Sequence, residues 1–197
     1  MTEEVDRCKK ALEIAAKGET VSIVSSGDAG VYGMAGLVME LAATSPEFSK
    51  VAIEVVPGIT AVSAAASIVG APLTHDFAVI SLSDLMTPWE VIAKRLRCAA
   101  EGDFVIALYN PKSKKRKEHI IKAREIIEQH RSGTTPVAVV TSAYRDGQTV
   151  AISNLRDFTG AEIGMLSVVI IGNSQSILKD NKIVTPRGYS SKYADSF

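Results

Sequence analysis

The sequence is poor in cysteine and carries no excess of charge, and each absence excludes a class of protein. Cys8 and Cys98 lie far apart and form no Cys-x-x-Cys pair, which predicts neither a disulfide framework nor a structural zinc site. Twenty-two basic residues balance twenty-two acidic ones, so no overall field favours nucleic acid. No secretory signal pattern opens the sequence. We therefore predict a cytoplasmic protein with reduced thiols and no bound metal.

The sequence also lacks a long uninterrupted hydrophobic run. Val55 to Leu73 is uncharged over almost the length of a membrane span, but Pro57-Gly58 and Gly70 interrupt it and Ala and Ser predominate over Leu. A buried helix of small residues explains this segment better than a bilayer span. We predict no membrane segment.

Helix-like and strand-like segments alternate along the chain, which predicts an α/β fold. Apolar periodicity predicts helices at 3–17, 31–43, 60–69, from Pro88 onward and at 117–131. Runs of β-branched and apolar residues predict strands at 20–25, 50–56, 77–82, 104–109, 136–141, 149–153 and 166–171. An α/β domain that starts on a helix, with so few strands in its first part, indicates that its first strand is missing.

The stretch SSGDAGVYGMAG, residues 25–36, joins a predicted strand to a predicted helix, as phosphate-binding loops do. Its glycines fit neither Gly-x-Gly-x-x-Gly nor a Gly-Lys-Ser/Thr loop, and Asp28 would repel a polyphosphate. A carboxylate can instead accept hydrogen bonds from ribose hydroxyls or an ammonium, or orient neighbouring backbone groups. S-adenosylmethionine offers such groups and has no phosphate. The alternative is a tight turn in which Asp28 caps the following helix.

Three further stretches place small or polar residues just after a predicted strand. They are VVPGITA at 55–61, ALYNPKS at 107–113 and VVIIGNSQS at 168–176. Each can be ordinary turn chemistry. Because open α/β sheets bind ligands at the carboxyl ends of their strands, four such loops predict one shared site.

These stretches, together with SLSDLMTPWEVIAKRL and EGDFVIALYNPKSKKR, resemble the tetrapyrrole (corrin/porphyrin) methyltransferases over residues 1 to about 187. SDLMTPWE and ALYNPKS favour the subgroup that methylates ring carbon 17 of a precorrin or cobalt-precorrin and contracts the macrocycle in cobalamin biosynthesis. The resemblance implies two α/β domains, each a mixed sheet flanked by helices, with the boundary after Pro57. It also implies S-adenosylmethionine in the cleft between them, a tetrapyrrole substrate and a homodimer.

The sequence departs from the family pattern at two places. Many relatives have proline where this chain has Ala29, and members normally begin with a strand and a Gly-Pro-Gly loop. We therefore expect residues 1–57 to form an incomplete N-terminal domain and 58–197 the C-terminal domain. A catalytically incomplete donor-binding module is one alternative function, and a sister methyltransferase acting at another ring position is a second.

The family motifs also imply which residues bind the methyl donor. Matched motif by motif, they are Gly27, Asp28, Val31, Tyr32, Gly33, Thr60, Ala61, Leu108, Tyr109, Asn110, Ser142, Ala143, Ile171 and Gly172. Methyl transfer from a sulfonium depends chiefly on positioning an activated donor, which suits a site made of loops and backbone.

Ring contraction involves proton transfers, for which Asp84, His75 and Tyr109 are the candidate acid–base residues. Each has a plainer interpretation. His75 can be a loop residue hydrogen-bonded near Asp76, Asp84 can form a turn or cap before a helix, and Tyr109 can be a wall of the donor pocket.

A basic run lies at the start of the predicted helix at 117–131, where positive charge is unfavourable with the helix dipole. Its members are Lys112, Lys114, Lys115, Arg116 and Lys117. They either bind the carboxylates of the substrate or form a solvated face or subunit contact. Arg145 is a further candidate for substrate binding.

Overall fold

The computed structural model describes residues 3–193, and the chain divides into two compact units, the first ending at Ala61 and the second beginning at Val62. Helices and strands alternate in the second unit, and the predicted α/β fold is confirmed. The predicted domain boundary after Pro57 stays a prediction.

The first unit is built on two helices, α1 (Glu4–Ala15) and α2 (Ala35–Thr44), followed by a 3-10 turn at Pro46–Phe48. Its buried core is small, because α1 contributes only Cys8 and Leu12, which cluster with Val38 and Phe48. Both predicted helices are present, although α2 begins several residues later than predicted because residues 26–34 form an irregular loop.

The strands predicted at 20–25 and 50–56 are wrong. Within the described residues neither segment joins a sheet. Their β-branched residues favour an extended backbone, but a strand exists only where another backbone pairs with it. Both segments line a groove of about 980 Å³ together with residues of α1.

The second unit contains eight strands and four helices within the described residues. The helices are α3 (Ala61–Val69, starting at the unit boundary), α4 (Trp89–Glu101), α5 (His119–Glu128) and α6 (Tyr189–Lys192). The strands are β1 (Gly70–Ala71), β2 (Phe77–Ser81), β3 (Val105–Tyr109), β4 (Pro136–Thr141), β5 (Thr149–Asn154), β6 (Ser167–Ile171), β7 (Ile177–Lys179) and β8 (Lys182–Val184).

The uncharged segment singled out in the sequence contains α3, which buries Val62, Ala65, Ala66 and Val69. The segment carries no charge because this face of α3 is buried inside the unit, and its small side chains allow close packing there. Across residues 3–193, no helix combines the length and the apolar character needed to cross a membrane.

The main sheet has five strands in the order β2-β3-β6-β4-β5. Strand β3 is parallel to β2, whereas β6 lies antiparallel to both β3 and β4. The carboxyl ends of β2, β3 and β4 therefore lie at one edge of the sheet, which we call the active edge, together with the start of β6. A second sheet has the order β1-β8-β7.

The core of the second unit packs around strands β3 and β6. Val105 to Leu108 and all five residues of β6 are buried, as expected for central strands with both faces covered. Helix α4 adds Ile92 and Leu96, and α5 adds Ile120 and Ile127 to the same cluster. This core fixes the register of the strands that reach the active edge.

A buried arginine fastens the opposite edge of the sheet. The Arg131 side chain is 2% exposed and lies 3.2 Å from the Asp103 carboxylate. It donates hydrogen bonds to the carbonyl oxygens of Gly172 (2.6 Å) and Phe104 (2.8 Å), and to that of Ala100. Arg131 thereby joins the start of β3, the end of β6 and the end of α4.

Candidate functional site

In the first unit, Asp28 ties two loops together. Its Oδ1 accepts a hydrogen bond from the Gly30 N–H and its Oδ2 accepts one from the Gly58 N–H, both at 2.8 Å. The hydrogen bonds from Gly58 and Gly30 lower the pKa of the Asp28 carboxyl, because they stabilise its charged form. Of the roles considered for Asp28, the structure supports the orientation of backbone groups.

The alternative that Asp28 caps the following helix is wrong. Helix α2 begins at Ala35, and the Asp28 side chain forms no capping hydrogen bond at its start. Instead, the Ser25 hydroxyl accepts a hydrogen bond from the Met34 N–H at 3.2 Å, and the Ala29 carbonyl accepts one from Ala35. Asp28 is too early in the loop for capping, and its carboxylate is directed to Gly30 and Gly58.

Glycine is required where the two loops touch. A Cβ on Gly58 would overlap the Gly27 carbonyl oxygen, and a Cβ on Gly33 would lie 2.5 Å from the Ala29 carbonyl oxygen. Gly27 itself has φ +80°, a conformation that side chains disfavour. The first unit thus brings residues 27–33 against the turn that leads to Thr60 and Ala61.

In the second unit, the active edge gathers the predicted residues that follow β3 and β4. The Tyr109 hydroxyl accepts a hydrogen bond from the Val62 N–H at 2.8 Å, at the start of α3. Asn110 donates from Nδ2 to the Ser81 hydroxyl at 3.0 Å. Leu108 is buried in β3, while Ser142 and Ala143 follow β4 at the same edge.

The structure does not bring Ile171 and Gly172 to this edge. Ile171 pairs with Ile106 and Val137, near the starts of β3 and β4, because β6 runs antiparallel to both strands. Gly172 continues toward that opposite edge, where its N–H donates to the Pro136 carbonyl at 2.9 Å. The expectation of a single site at strand carboxyl ends therefore fails for these two residues.

The start of β6 takes their place at the active edge. The Ser142 N–H donates to the Leu166 carbonyl at 3.1 Å, and the Ser167 and Thr141 hydroxyls are hydrogen-bonded at 2.7 Å. Sequence reasoning missed Leu166 and Ser167, because a run of apolar residues predicts a strand without predicting its direction.

Three of the predicted donor-binding residues and one neighbour adopt left-handed backbone conformations. Tyr32, Asn110, Ser142 and Tyr144 have φ between 50° and 57° although none is glycine. Such conformations cost roughly 1–3 kcal/mol each and cluster at functional sites. Tyr144 is further held by a hydrogen bond from its N–H to the Gln148 Oε1 at 2.7 Å. Local strain thus marks three of the loops that sequence motifs had indicated.

The candidate acid–base residues are separated by the sheet. Asp84 follows β2 at the active edge, whereas His75 precedes β2 at the other edge. His75 is 46% exposed, and its Nδ1 accepts a hydrogen bond from the Asp76 N–H at 2.9 Å. The structure therefore gives His75 the surroundings of its plainer interpretation as a loop residue.

The basic run lies in a loop, because α5 begins at His119 rather than at residue 117. The argument from the helix dipole therefore does not apply to it. Lys114, Lys115 and Lys117 are exposed, and Lys112 is half-buried. Arg116 differs from them, since its side chain is 10% exposed and donates to the Asn110 carbonyl at 2.8 Å.

Arg145 and His119 are two further residues of this region. Arg145 is exposed in the loop after β4, where its N–H donates to the Ser142 carbonyl at 2.9 Å. Sequence reasoning did not select His119, whose Nε2 lies 3.6 Å from the Asp84 Oδ2. Only the pairing of β2 with β3 brings these two segments together, and no motif spacing indicates it.

Comparison with known proteins identifies the class to which this fold and these loops belong. Residues 2–159 match the profile of the Tetrapyrrole (Corrin/Porphyrin) Methylases. The chain belongs to this family.

Two curated relatives are particularly similar. The cobalt-factor III methyltransferase of Priestia megaterium is 51% identical over 195 residues, which are 98% of this chain and 36% of the relative. The probable cobalt-factor III C(17)-methyltransferase of Salmonella typhimurium is 47% identical over 96% of this chain and 78% of the relative. The chain thus spans about a third of the first protein and more than three quarters of the second.

A solved structure agrees with both. The crystal structure of the methyltransferase CobJ superposes with a TM-score of 0.87 at 40% identity, covering 93% of this chain and 77% of that one. The family predicted from the sequence is confirmed.

Proposed function

We propose that the protein transfers a methyl group from S-adenosylmethionine to ring carbon 17 of a precorrin or cobalt-precorrin, with contraction of the macrocycle, in cobalamin biosynthesis. The observation that carries this proposal is the 47% identity to the Salmonella protein, which extends over 96% of this chain. The match to CobJ over 93% of the chain supports the same reaction class.

The residues present suit S-adenosylmethionine as the methyl donor. When bound, this compound supplies an activated methyl group on a sulfonium. The glycines at 27, 33 and 58 leave backbone accessible where a Cβ would crowd it, and the loop around Asp28 has no lysine for a phosphate. We propose that donor contacts come from Gly27, Val31, Tyr32, Gly33, Thr60 and Ala61 of the first unit and from Leu108, Tyr109, Asn110, Ser142 and Ala143 of the second.

Asp28 has a different part in this proposal. Both of its carboxylate oxygens accept hydrogen bonds from backbone N–H groups, those of Gly30 and Gly58. We therefore assign Asp28 as a positioning residue that sets the shape of the donor loop.

The basic side chains of the loops after β3 and β4 suit a substrate that carries several carboxylates. Lys112, Lys114 and Lys115 precede α5, and Arg145 lies in the loop after β4. We propose that these four residues attract the tetrapyrrole. Because ion pairs near the surface are individually weak, substitution of any one of these residues is expected to change KM only modestly. A homodimer remains a prediction, which sedimentation of the purified protein would test.

The proposal is tested by incubating the purified protein with cobalt-factor III and a donor labelled in its methyl group. Mass spectrometry and NMR of the product are expected to show one added methyl group at ring carbon 17. Gly33→Ala is expected to abolish or strongly reduce turnover, whereas Gly36→Ala serves as the matched control because its Cβ meets nothing within 4 Å.

The two alternatives predict different outcomes of the same experiment. A label at another ring carbon would identify a sister methyltransferase. Saturable binding of S-adenosylhomocysteine, measured by calorimetry, without any turnover would identify a binding module. Absence of both binding and turnover in a folded protein would contradict the proposal.

A further inference from the structure

At the active edge, the second unit contains a connected group of side chains that we call the Asp84 cluster, made of Asp84, Trp89, Arg116 and His119. The Asp84 carboxylate lies 3.6 Å from the His119 Nε2 and 3.8 Å from the Arg116 Nη1. The Trp89 and His119 rings lie 4.4 Å apart between centroids, tilted by 30°. The segment after β2, which carries Asp84 and Trp89, therefore meets the segment at the start of α5, which carries Arg116 and His119.

The His119 ring is held in one orientation. Its Nδ1 lies 3.0 Å from the Leu82 carbonyl oxygen, and since a carbonyl can only accept, Nδ1 must carry the hydrogen. Trp89 covers one ring face, and the side chain is 13% exposed. Nε2 is thereby directed to the Asp84 carboxylate, at a distance that a small rotation or one water molecule would bridge.

Arg116 links the Asp84 cluster to Asn110, in the loop that follows β3 of the same unit. Its Nη2 donates to the Asn110 carbonyl at 2.8 Å while its Nη1 approaches Asp84, and its Nε is buried without a hydrogen-bond partner. Asp84 is 43% exposed and is the most open of the charged residues in the cluster. The carboxylate is therefore the member that a bound substrate can reach.

We propose that Asp84 and His119 form a proton-transfer pair, in which Asp84 contacts the macrocycle and His119 acts behind it as a positioning residue and proton acceptor. This inference rests on the proposed function. The role of Arg116 is then to hold Asp84 beside Asn110, rather than to bind substrate directly.

The pair answers a requirement of the chemistry. When the sulfonium methyl carbon bonds to a ring carbon, its former bonding electrons stay on sulfur, so the macrocycle gains one carbon–carbon bond and must lose one proton to regain neutrality. The Asp84 carboxylate accepts that proton, and the free electron pair of the His119 Nε2 receives it from Asp84. Asp84 lies in the loop after β2, where His119 faces it from the start of α5 and Arg116 from the loop before α5. Lys122 of α5 lies over the Trp89 ring at 5.8 Å.

Three substitutions separate proton transfer from simple packing. Asp84→Asn is expected to lower kcat by about 100-fold or more, as loss of a general base does. The amide of His119→Asn can keep the hydrogen bond to the Leu82 carbonyl but is too short to reach Asp84. The amide of His119→Gln can reach Asp84 but cannot take up a proton. Both His119 variants are expected to lower kcat by at least about tenfold with little change in KM for the donor. His130→Asn, at an exposed site, is the control.

A second measurement does not depend on turnover. The protein has only three histidines, so nitrogen NMR can resolve the His119 ring. We expect a protonated Nδ1 and an Nε2 signal that moves in Asp84→Asn but not in the control Asp146→Asn, at an exposed position. An Nε2 signal unaffected by Asp84→Asn, or a His119→Gln variant with the parent kcat, would overturn the inference. If the parent protein fails to methylate cobalt-factor III, the proposed function fails, and the NMR result still decides whether the pair exists.

Discussion

The two units hold their predicted donor-binding residues by different physical means. In the first unit, the loop at 27–33 is fixed by the Asp28 carboxylate and by glycines that allow backbone to touch backbone. In the second unit, Tyr109, Asn110 and Ser142 are placed by the register of a five-stranded sheet over a large buried core.

This difference determines where each unit is sensitive to substitution. The described part of the first unit has a core of four buried residues, so its loop geometry depends on a few local contacts. The second unit distributes the same task over many packed side chains, whose removal leaves cavities. Core substitutions should therefore damage the second unit most, and single loop substitutions the first.

Truncation of a core aromatic is the strongest test of this contrast. Phe158 is fully buried in the second unit, and Phe158→Ala is expected to lower the free energy of unfolding by about 3–5 kcal/mol. Phe48→Ala in the first unit should cost about 1–2 kcal/mol, because the smaller core can collapse around the vacancy. Urea unfolding measures both values, and equal losses would refute the contrast.

Removal of the buried arginine tests the sheet's opposite edge. Arg131→Met removes the guanidinium from several carbonyl oxygens and from Asp103, which keeps its hydrogen bonds from Ser174. We expect a loss of roughly 2–4 kcal/mol in the free energy of unfolding. Arg97→Met, on the exposed side of α4, is the matched control and should change stability by less than about 0.5 kcal/mol. A loss no larger than the control's would show that the guanidinium contacts contribute little.

A methyl group added to the donor loop tests the first unit. Gly33→Ala places Cβ against the Ala29 carbonyl, so the backbone must shift, and we expect a loss of about 1–3 kcal/mol together with weaker binding of S-adenosylhomocysteine. Gly36→Ala adds the same methyl group to α2 in open space and should be neutral or stabilising by up to about 1 kcal/mol. Calorimetric binding that is equal in the two variants would show that the loop tolerates the shift.

The pH dependence of stability tests the Asp28 contacts and has the smallest expected effect. Because the backbone N–H groups lower the pKa of Asp28, its contribution is present above the ordinary aspartate value of about 3.9 and is lost as the pH falls through the lower folded value. The stability gap between the protein and Asp28→Asn should therefore narrow on acidification.

Urea unfolding at neutral and acid pH measures that gap. Glu19→Gln, at an exposed position of the first unit, corrects for the general effect of removing one acidic group. A gap that stays constant from neutral to acid pH would mean that the charge of Asp28 does not stabilise the loops.

Much of the fold could be predicted because its elements are long and strongly patterned. The strands at Val105–Tyr109 and Pro136–Thr141 are buried and apolar, and the helix at Trp89–Glu101 has a regular apolar face. The predictions at 20–25 and 50–56 failed because pairing depends on a partner backbone, which composition does not specify.

The candidate site was less predictable, since it depends on how distant segments meet. Motifs indicated the loops around Asp28, Asn110 and Ser142, each of which the structure marks with unusual backbone or polar contacts. The direction of β6 and the approach of His119 to Asp84 arise from strand pairing, and local sequence does not encode either.

The position of β6 also has a consequence for synthesis of the chain on the ribosome. This strand fills the centre of the main sheet although it comes last among its five strands, at Ser167–Ile171. Until it emerges, the pair β2-β3 and the pair β4-β5 each have an unpaired inner edge, and exposed strand edges promote aggregation. The nascent protein therefore depends on a late segment to close its sheet. Chaperones are most needed before residue 171 leaves the exit tunnel.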